Sequence, residues 1–212
     1  MPTTPLDSPF LAIYVHELWG KAIFIVKTCE AIFAQCPVPS RDGYIKVAPE
    51  VHGQIAAVLA EAANIKKLLF APQQPSYKET KEQFAFRVKR VKLLNASLSE
   101  PPLSEISSVE ARNSVEHFDQ YLDRSNLALT TGASPAPGMA LYNMVLSSWG
   151  IFDKKAFPLK LYVADERRYY NLEWSADLNA LHAEAVDLGA RVRKLAGFKD
   201  HEGPGGLMVP IK

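Results

Sequence analysis

A mainly α-helical fold is predicted, a bundle of four to five helices with a small β-hairpin appended near the C-terminus. Three observations predict it. Apolar residues recur at spacings of three and four through most of the chain up to Asn126. Pro, Gly and Ser cluster between those runs and punctuate them. Only the stretch from Leu159 to Trp174 reads as short strands around a turn.

The first helix is expected from about Ser8 to Gln35. Leu11, Tyr14, Leu18, Ala22, Ile25, Cys29 and Ile32 form its core stripe, Ser8 and Pro9 start it, and Pro37 and Pro39 stop it. Phe10, Phe24, Val26 and Phe33 lie off the stripe, which predicts burial on more than one side. A second helix spans about Ala48 to Leu69 on Ile55, Val58, Leu59, Ala62 and Ile65, and Pro72 and Pro75 close it. The third runs from about Lys78 to Leu94, with Phe84, Val88, Val91 and Leu94 or Asn95 on one face. Residues 95–102 read as linker. Ser107 or Ser108 caps a fourth helix that reaches about Asn126, with Val115, Phe118 and Leu122 turned inward.

Past Asn126 the pattern changes. Residues 128–140 read as loop and 141–149 as a short helix. Leu159–Val163 and Tyr169–Trp174 pair as a hairpin across a turn without glycine. A last helix from Ala176 to about Leu195 carries Leu178, Leu181, Ala185, Leu188 and Val192 on one face. The organisation expected is a helical bundle over residues 1–150, the hairpin and terminal helix packed on it over 151–197, and a flexible tail over 198–212.

Composition narrows the function. At 212 residues, 48% hydrophobic and 22% charged, the chain has material for one domain with additions, and disorder as its main state is excluded. A net charge of +1 excludes a generic polycation. Cys29 and Cys36 are too few for a disulfide scaffold; on one helix their Cα atoms stand about 10 Å apart, beyond disulfide reach. No secretory leader and no membrane-spanning run is visible, so a cytoplasmic protein is expected.

Familiar catalytic signatures are absent. The sequence has no H-E-x-x-H, no phosphate-binding loop and no G-x-S-x-G. His182 and Glu184 make an H-x-E without the Cys-x-x-Cys of a zinc deaminase, and no metal or other cofactor is expected. His16 reads as a core or edge histidine; His52 and His201 lack company in sequence.

His117 differs. On the fourth helix, Asn113 and His117 are four apart and share a face, and Arg112 sits one position around. An imidazole, an amide and a fixed cation are the groups phosphodiester chemistry needs: a proton carrier near neutral pKa, an orienting hydrogen-bonder and a counter-charge for the phosphorane. The same letters also fit a solvated helix in which Arg112 and Glu116 form an i, i+4 ion pair.

The run Arg112-Asn113-x-x-x-His117, with Glu116-His117-Phe118-Asp119-x-x-Leu122-Asp123 around it, resembles the R-x4-6-H motif of the HEPN superfamily (higher eukaryotes and prokaryotes nucleotide-binding). The specific likeness covers about residues 107–127 and the bundle likeness about 8–127. It implies a metal-independent endoribonuclease with a composite cleft in a homodimer. His117 would serve as general base on the 2′-OH or acid toward the leaving 5′-oxygen, Arg112 would stabilise the phosphorane, and Asn113 would orient Arg112 or the phosphate. It also implies a toxin or antiviral effector whose partner is a nucleotidyltransferase-type antitoxin. A non-catalytic helical interaction or nucleotide-binding module is the alternative.

Two charge patterns bear on an RNA partner. The third helix has a local excess of four positive charges, with Arg87, Lys89, Arg90 and Lys92 as candidate phosphate contacts. Residues 100–123 carry a balance of −5, which repels RNA unless that helix or a second subunit offsets it. Glu116 and Tyr121 complete the candidate substrate-binding set. Tyr162, Tyr169, Tyr170 and Trp174 offer either stacking surface or strand core.

Overall fold

The computed structural model describes residues 11–38, 43, 45, 50–108, 110–133, 138–151, 156–198, 205–206 and 208–209. The expected start at Ser8 and Pro9, the stop at Pro39, Phe10, His201 and most of the tail lie outside these residues. The described chain is mostly helical with a small sheet near its C-terminus. It holds seven α-helices, not four to five, and a four-stranded sheet where a hairpin was expected.

Helix α1 (Leu11–Gln35) is central, packed against α2 (Glu50–Leu69) on one side and α7 (Leu178–Ala196) on the other. Its predicted stripe is the core: Leu18, Ala22, Ile25, Cys29 and Ile32 are buried, as are all five stripe residues of α2. Phe24 departs from expectation, because it faces solvent while Val26 and Phe33 lean on the core.

Helix α3 (Lys81–Ser97) begins three residues later and ends three later than predicted. Thr80 forms a capping box: its hydroxyl accepts the Gln83 N–H at 3.2 Å and its own N–H donates to Gln83 Oε1 at 2.9 Å. Only Val91 and Leu94 of the predicted face are buried. Asn95 instead donates its side-chain amide to the Leu69 carbonyl, closing an open end of α2.

The predicted fourth helix is two pieces, α5 (Glu110–Glu116) and α6 (Phe118–Thr130), and a short helix α4 (Ser104–Ser107) that was not expected precedes them. Short α4 has no cap of its own. The Glu184 carboxylate, from α7, accepts from Ser104 Oγ and from the N–H groups of Glu105 and Ile106 at 2.8–2.9 Å. The break between α5 and α6 falls on His117, whose φ of −111° and ψ of 36° leave the helix. Its cause is visible at Ser114. The hydroxyl bonds back to the Ala111 carbonyl at 2.7 Å, and Asn171 Nδ2 occupies the carbonyl a continuous helix would offer to Phe118. The buried residues of α5 are Ala111 and Ser114; Val115, Phe118 and Leu122, expected inside, are half-buried.

The short helix expected over residues 141–149 is not formed. Residues 141–146 belong to β1 (Ala140–Leu146), and only Trp149 enters a 3-10 turn, at Trp149–Ile151. β1 pairs in parallel with β2 (Phe157–Val163), so the sheet draws on both sides of residue 150. The predicted hairpin is β2 with β3 (Arg168–Asn171), and a second tight turn adds β4 (Trp174–Asp177). Ala176 and Asp177 still pair with β3, which delays α7 to Leu178; the Asp177 carboxylate then caps α7 by accepting the Ala180 N–H at 2.9 Å. Gly197, at φ 70°, ends α7 in the left-handed conformation that glycine adopts without Cβ cost.

One irregularity shapes the sheet. The register skips one position, between Tyr142 opposite Leu159 and Met144 opposite Leu161; Asn143 and Lys160 fill that gap, and both have positive φ, 55° and 53°. The double break shifts the alternation of β1, so Leu141 joins Leu146, Leu161 and Val163 in a small second core. Val145, Tyr162 and Tyr169 stay on the main one. Asn tolerates this backbone; for Lys it costs about 1–2 kcal/mol. Asn171 offsets part of that cost, its Oδ1 accepting the Lys160 N–H at 3.0 Å.

Candidate functional site

Arg112, Asn113 and His117 lie on α5 and at its end. Arg112 is half-buried and, with Leu59, Ala62, Ala111 and Leu181, lines a void of about 10 Å³, roughly one water at most. Its guanidinium donates to Asn113 Oδ1 at 3.2 Å and pairs with Glu116 Oε1 at 2.5 Å. Arg112 Nε is buried without a partner among the described residues. His117 is exposed at the helix break, while its N–H still bonds the Asn113 carbonyl at 2.9 Å. The α5 backbone therefore joins Asn113 to His117, and Asn113 holds Arg112.

The α5 helix is fixed from beneath. Ser114 and Asn171 are both fully buried, and Asn171 Nδ2 donates to the carbonyl and the hydroxyl of Ser114 at 3.0 Å each. Since Asn171 Oδ1 also accepts from Lys160, one amide ties the motif helix to the irregular point of the sheet.

The candidate substrate-binding residues divide. Arg87 is spent on Glu79 and Ser76, and Arg90 donates to the Lys67 carbonyl at 3.1 Å while lying 4.8 Å from the Tyr14 ring centre. These two hold α3 in place; Lys89 and Lys92 remain exposed. Glu116 is occupied by Arg112. Tyr121 stands edge-on to Trp174 with ring centres 4.6 Å apart. Tyr162 and Tyr169 are core residues, at 1% and 2% exposure; Tyr170 and Trp174 are half-buried.

The other histidines have structural neighbours. His16 meets Trp19 and Phe198 edge-on, and His182 Nε2 lies 3.5 Å from Glu30 Oε1. His52 is the unusual one. Neither ring nitrogen makes a well-formed hydrogen bond among the described residues, although the Asn143 backbone is near, and the ring stands 6.4 Å from Tyr169. Burial holds its pKa below the usual 6.5; the Asn143 backbone works against this and the Lys160 charge adds to it. Burial likewise pushes the Cys29 and Cys36 thiols up to about 12 and about 11, and both cysteines are free.

Sequence reasoning missed Lys160 and Asn171. Lys160 Nζ lies 4.4 Å from the Phe118 ring centre and 6.0 Å from that of Tyr142. A signal for Asn171 was present, because Asn is depleted in strands and a buried one needs partners. Among the described residues no group of three His, Cys, Asp or Glu could hold a metal ion, and no helix is long and apolar enough to cross a membrane.

No family model, no curated protein and no solved structure matches this chain.

Proposed function

We propose that the protein is a metal-independent endoribonuclease of the HEPN kind, acting as a cytoplasmic homodimer on RNA. The observation that carries this reading is the Arg112–Asn113 hydrogen bond beside an exposed His117 one helical turn on. A guanidinium held by a neighbouring amide is a pre-oriented counter-charge, and a solvent-facing imidazole is free to carry protons.

In the reaction, the 2′-oxygen bonds to phosphorus while its proton passes to one imidazole. The bond from phosphorus to the 5′-oxygen breaks, and that oxygen takes a proton from the second subunit's imidazolium. The products are a 2′,3′-cyclic phosphate and a 5′-hydroxyl. Arg112 balances the extra phosphorane charge, for which it must loosen its hold on Glu116. A toxin or antiviral effector kept in check by a nucleotidyltransferase-type antitoxin is the biological role that goes with this chemistry.

The test is cleavage of a structured RNA mixture in excess EDTA by the wild type, Arg112→Ala and His117→Ala. Cleavage by the wild type alone, leaving cyclic phosphate ends, is the expected result. Equal cleavage by His117→Ala overturns the assignment.

A second reading has its own support, since Arg112, Arg87 and Arg90 all have intramolecular partners. In it the chain is a non-catalytic interaction or nucleotide-binding module. Nucleotide then raises the thermal midpoint without turnover.

A further inference from the structure

Lys160 is set in a way that its sheet position alone does not require. Its backbone has positive φ beside Asn143, which has the same, and Asn171 holds its N–H. The side chain reaches Phe118, the residue after His117, and Tyr142, which is 58% exposed. Among the described residues no carboxylate stands within ion-pair distance of its ammonium. A half-buried cation between two rings, with no counter-ion among the described residues, is a place for an anion that carries a flat face.

Asn171 joins this place to the motif helix. The same amide that fixes the Lys160 N–H grips the Ser114 carbonyl and hydroxyl, three residues before His117. Lys160 is thus tied to the motif twice, by its backbone through Ser114 and by its side chain through Phe118. It also places a positive charge beside a motif segment whose own balance is −5.

We infer that Lys160 and Tyr142, with Phe118 beneath the ammonium, form a nucleotide subsite next to His117. Lys160 takes a backbone phosphate of single-stranded RNA, and Tyr142 stacks on an adjacent base. This rests on the ribonuclease reading and adds to it a determinant of substrate binding outside the Arg112–His117 motif. Asn171 acts as a positioning residue for Lys160.

The experiment is binding of a fluorescently labelled single-stranded RNA octamer to the His117→Ala protein, in which cleavage does not interfere. Lys160→Gln in that background is expected to weaken binding about tenfold and to reduce the salt slope by about 0.7. Lys160→Arg retains the affinity. Tyr142→Leu, a change at an exposed position that leaves the core intact, weakens RNA binding about fivefold or more. It leaves the affinity for an abasic ribose-phosphate oligomer unchanged. If Lys160→Gln lowers the thermal midpoint, Lys160→Arg and Tyr142→Leu decide the matter. Equal affinity of Lys160→Gln, or of Tyr142→Leu for RNA, overturns the subsite while the ribonuclease reading stands. A wild type that neither binds nor cuts RNA overturns both.

Discussion

Asn171, on β3, donates its side-chain amide to both the carbonyl and the hydroxyl of Ser114 on the motif helix, and neither residue has any solvent exposure. With the bond it accepts from Lys160, this amide satisfies three groups on two other elements. Such a network stabilises only when complete, because each buried group left alone keeps its desolvation cost.

Asn171→Ala is therefore expected to cost about 3 kcal/mol. It leaves the Lys160 N–H and the Ser114 carbonyl unsatisfied, while the Ser114 hydroxyl keeps only its bond to the Ala111 carbonyl. Asn171→Asp fares no better, since a carboxylate still accepts from Lys160 but faces the Ser114 carbonyl with nothing to donate. Urea denaturation of the three proteins measures this; a loss well under 1 kcal/mol in Asn171→Ala is inconsistent with the network.

Glu116 restrains Arg112. Both partners are partly exposed, at 25% and 40%, so the pair contributes under about 1 kcal/mol to stability. Glu116→Gln should leave the urea midpoint nearly unchanged and raise the cleavage rate, because the guanidinium no longer has to leave a carboxylate to meet the phosphorane. A large fall in rate would instead make Glu116 part of the machinery.

Helix α4 depends on Glu184. Glu184→Ala strips the acceptor from two backbone N–H groups and one hydroxyl and is expected to cost about 2 kcal/mol. Glu105 behaves in the opposite sense. Burial raises its pKa, with the Asp177 and Glu184 charges adding to the effect and the Asp177 N–H and Arg168 opposing it. A carboxyl raised in the folded state favours folding in acid, and that contribution fades as pH rises through the folded value. Glu105→Gln keeps an acceptor for the Asp177 N–H and removes the charge. The urea midpoint at neutral pH should hold or rise, and a loss comparable to Glu184→Ala would contradict this.

His52 sets a pH limit. Its folded pKa lies below the unfolded 6.5, so its contribution is fully present above pH 6.5. Below that value the unfolded chain takes a proton that the folded chain resists, and stability falls until the folded pKa is passed. His52→Leu should remove this slope, which urea midpoints on either side of pH 6.5 will reveal. An unchanged slope in the variant would place the titration elsewhere.

Sequence alone determined the elements whose signal is local. The spacing of Leu18, Ala22, Ile25, Cys29 and Ile32 identified the face of α1 that is buried, and the α2 and α7 stripes were equally legible, because one-sided burial imposes the helical period directly. The R-N-x-x-x-H run was legible too. The Thr80–Gln83 capping box could have been read and would have placed the start of α3 correctly.

Only the tertiary structure decided the rest, for a physical reason common to all the cases. The break at His117 is caused by an amide that lies 57 residues along the chain from the Ser114 it binds, and the N-terminus of α4 is capped by a carboxylate 80 residues from Ser104. β1 reads as a helix in sequence because Asn143 interrupts its alternation, and that interruption falls in the same gap of the register as Lys160 on β2. Arg87 and Arg90 resemble a free basic ridge in sequence, but in the fold Glu79 and the Lys67 carbonyl hold them. Periodicity records which side of an element is buried. Which polar group answers which across the fold depends on distances that no local window contains.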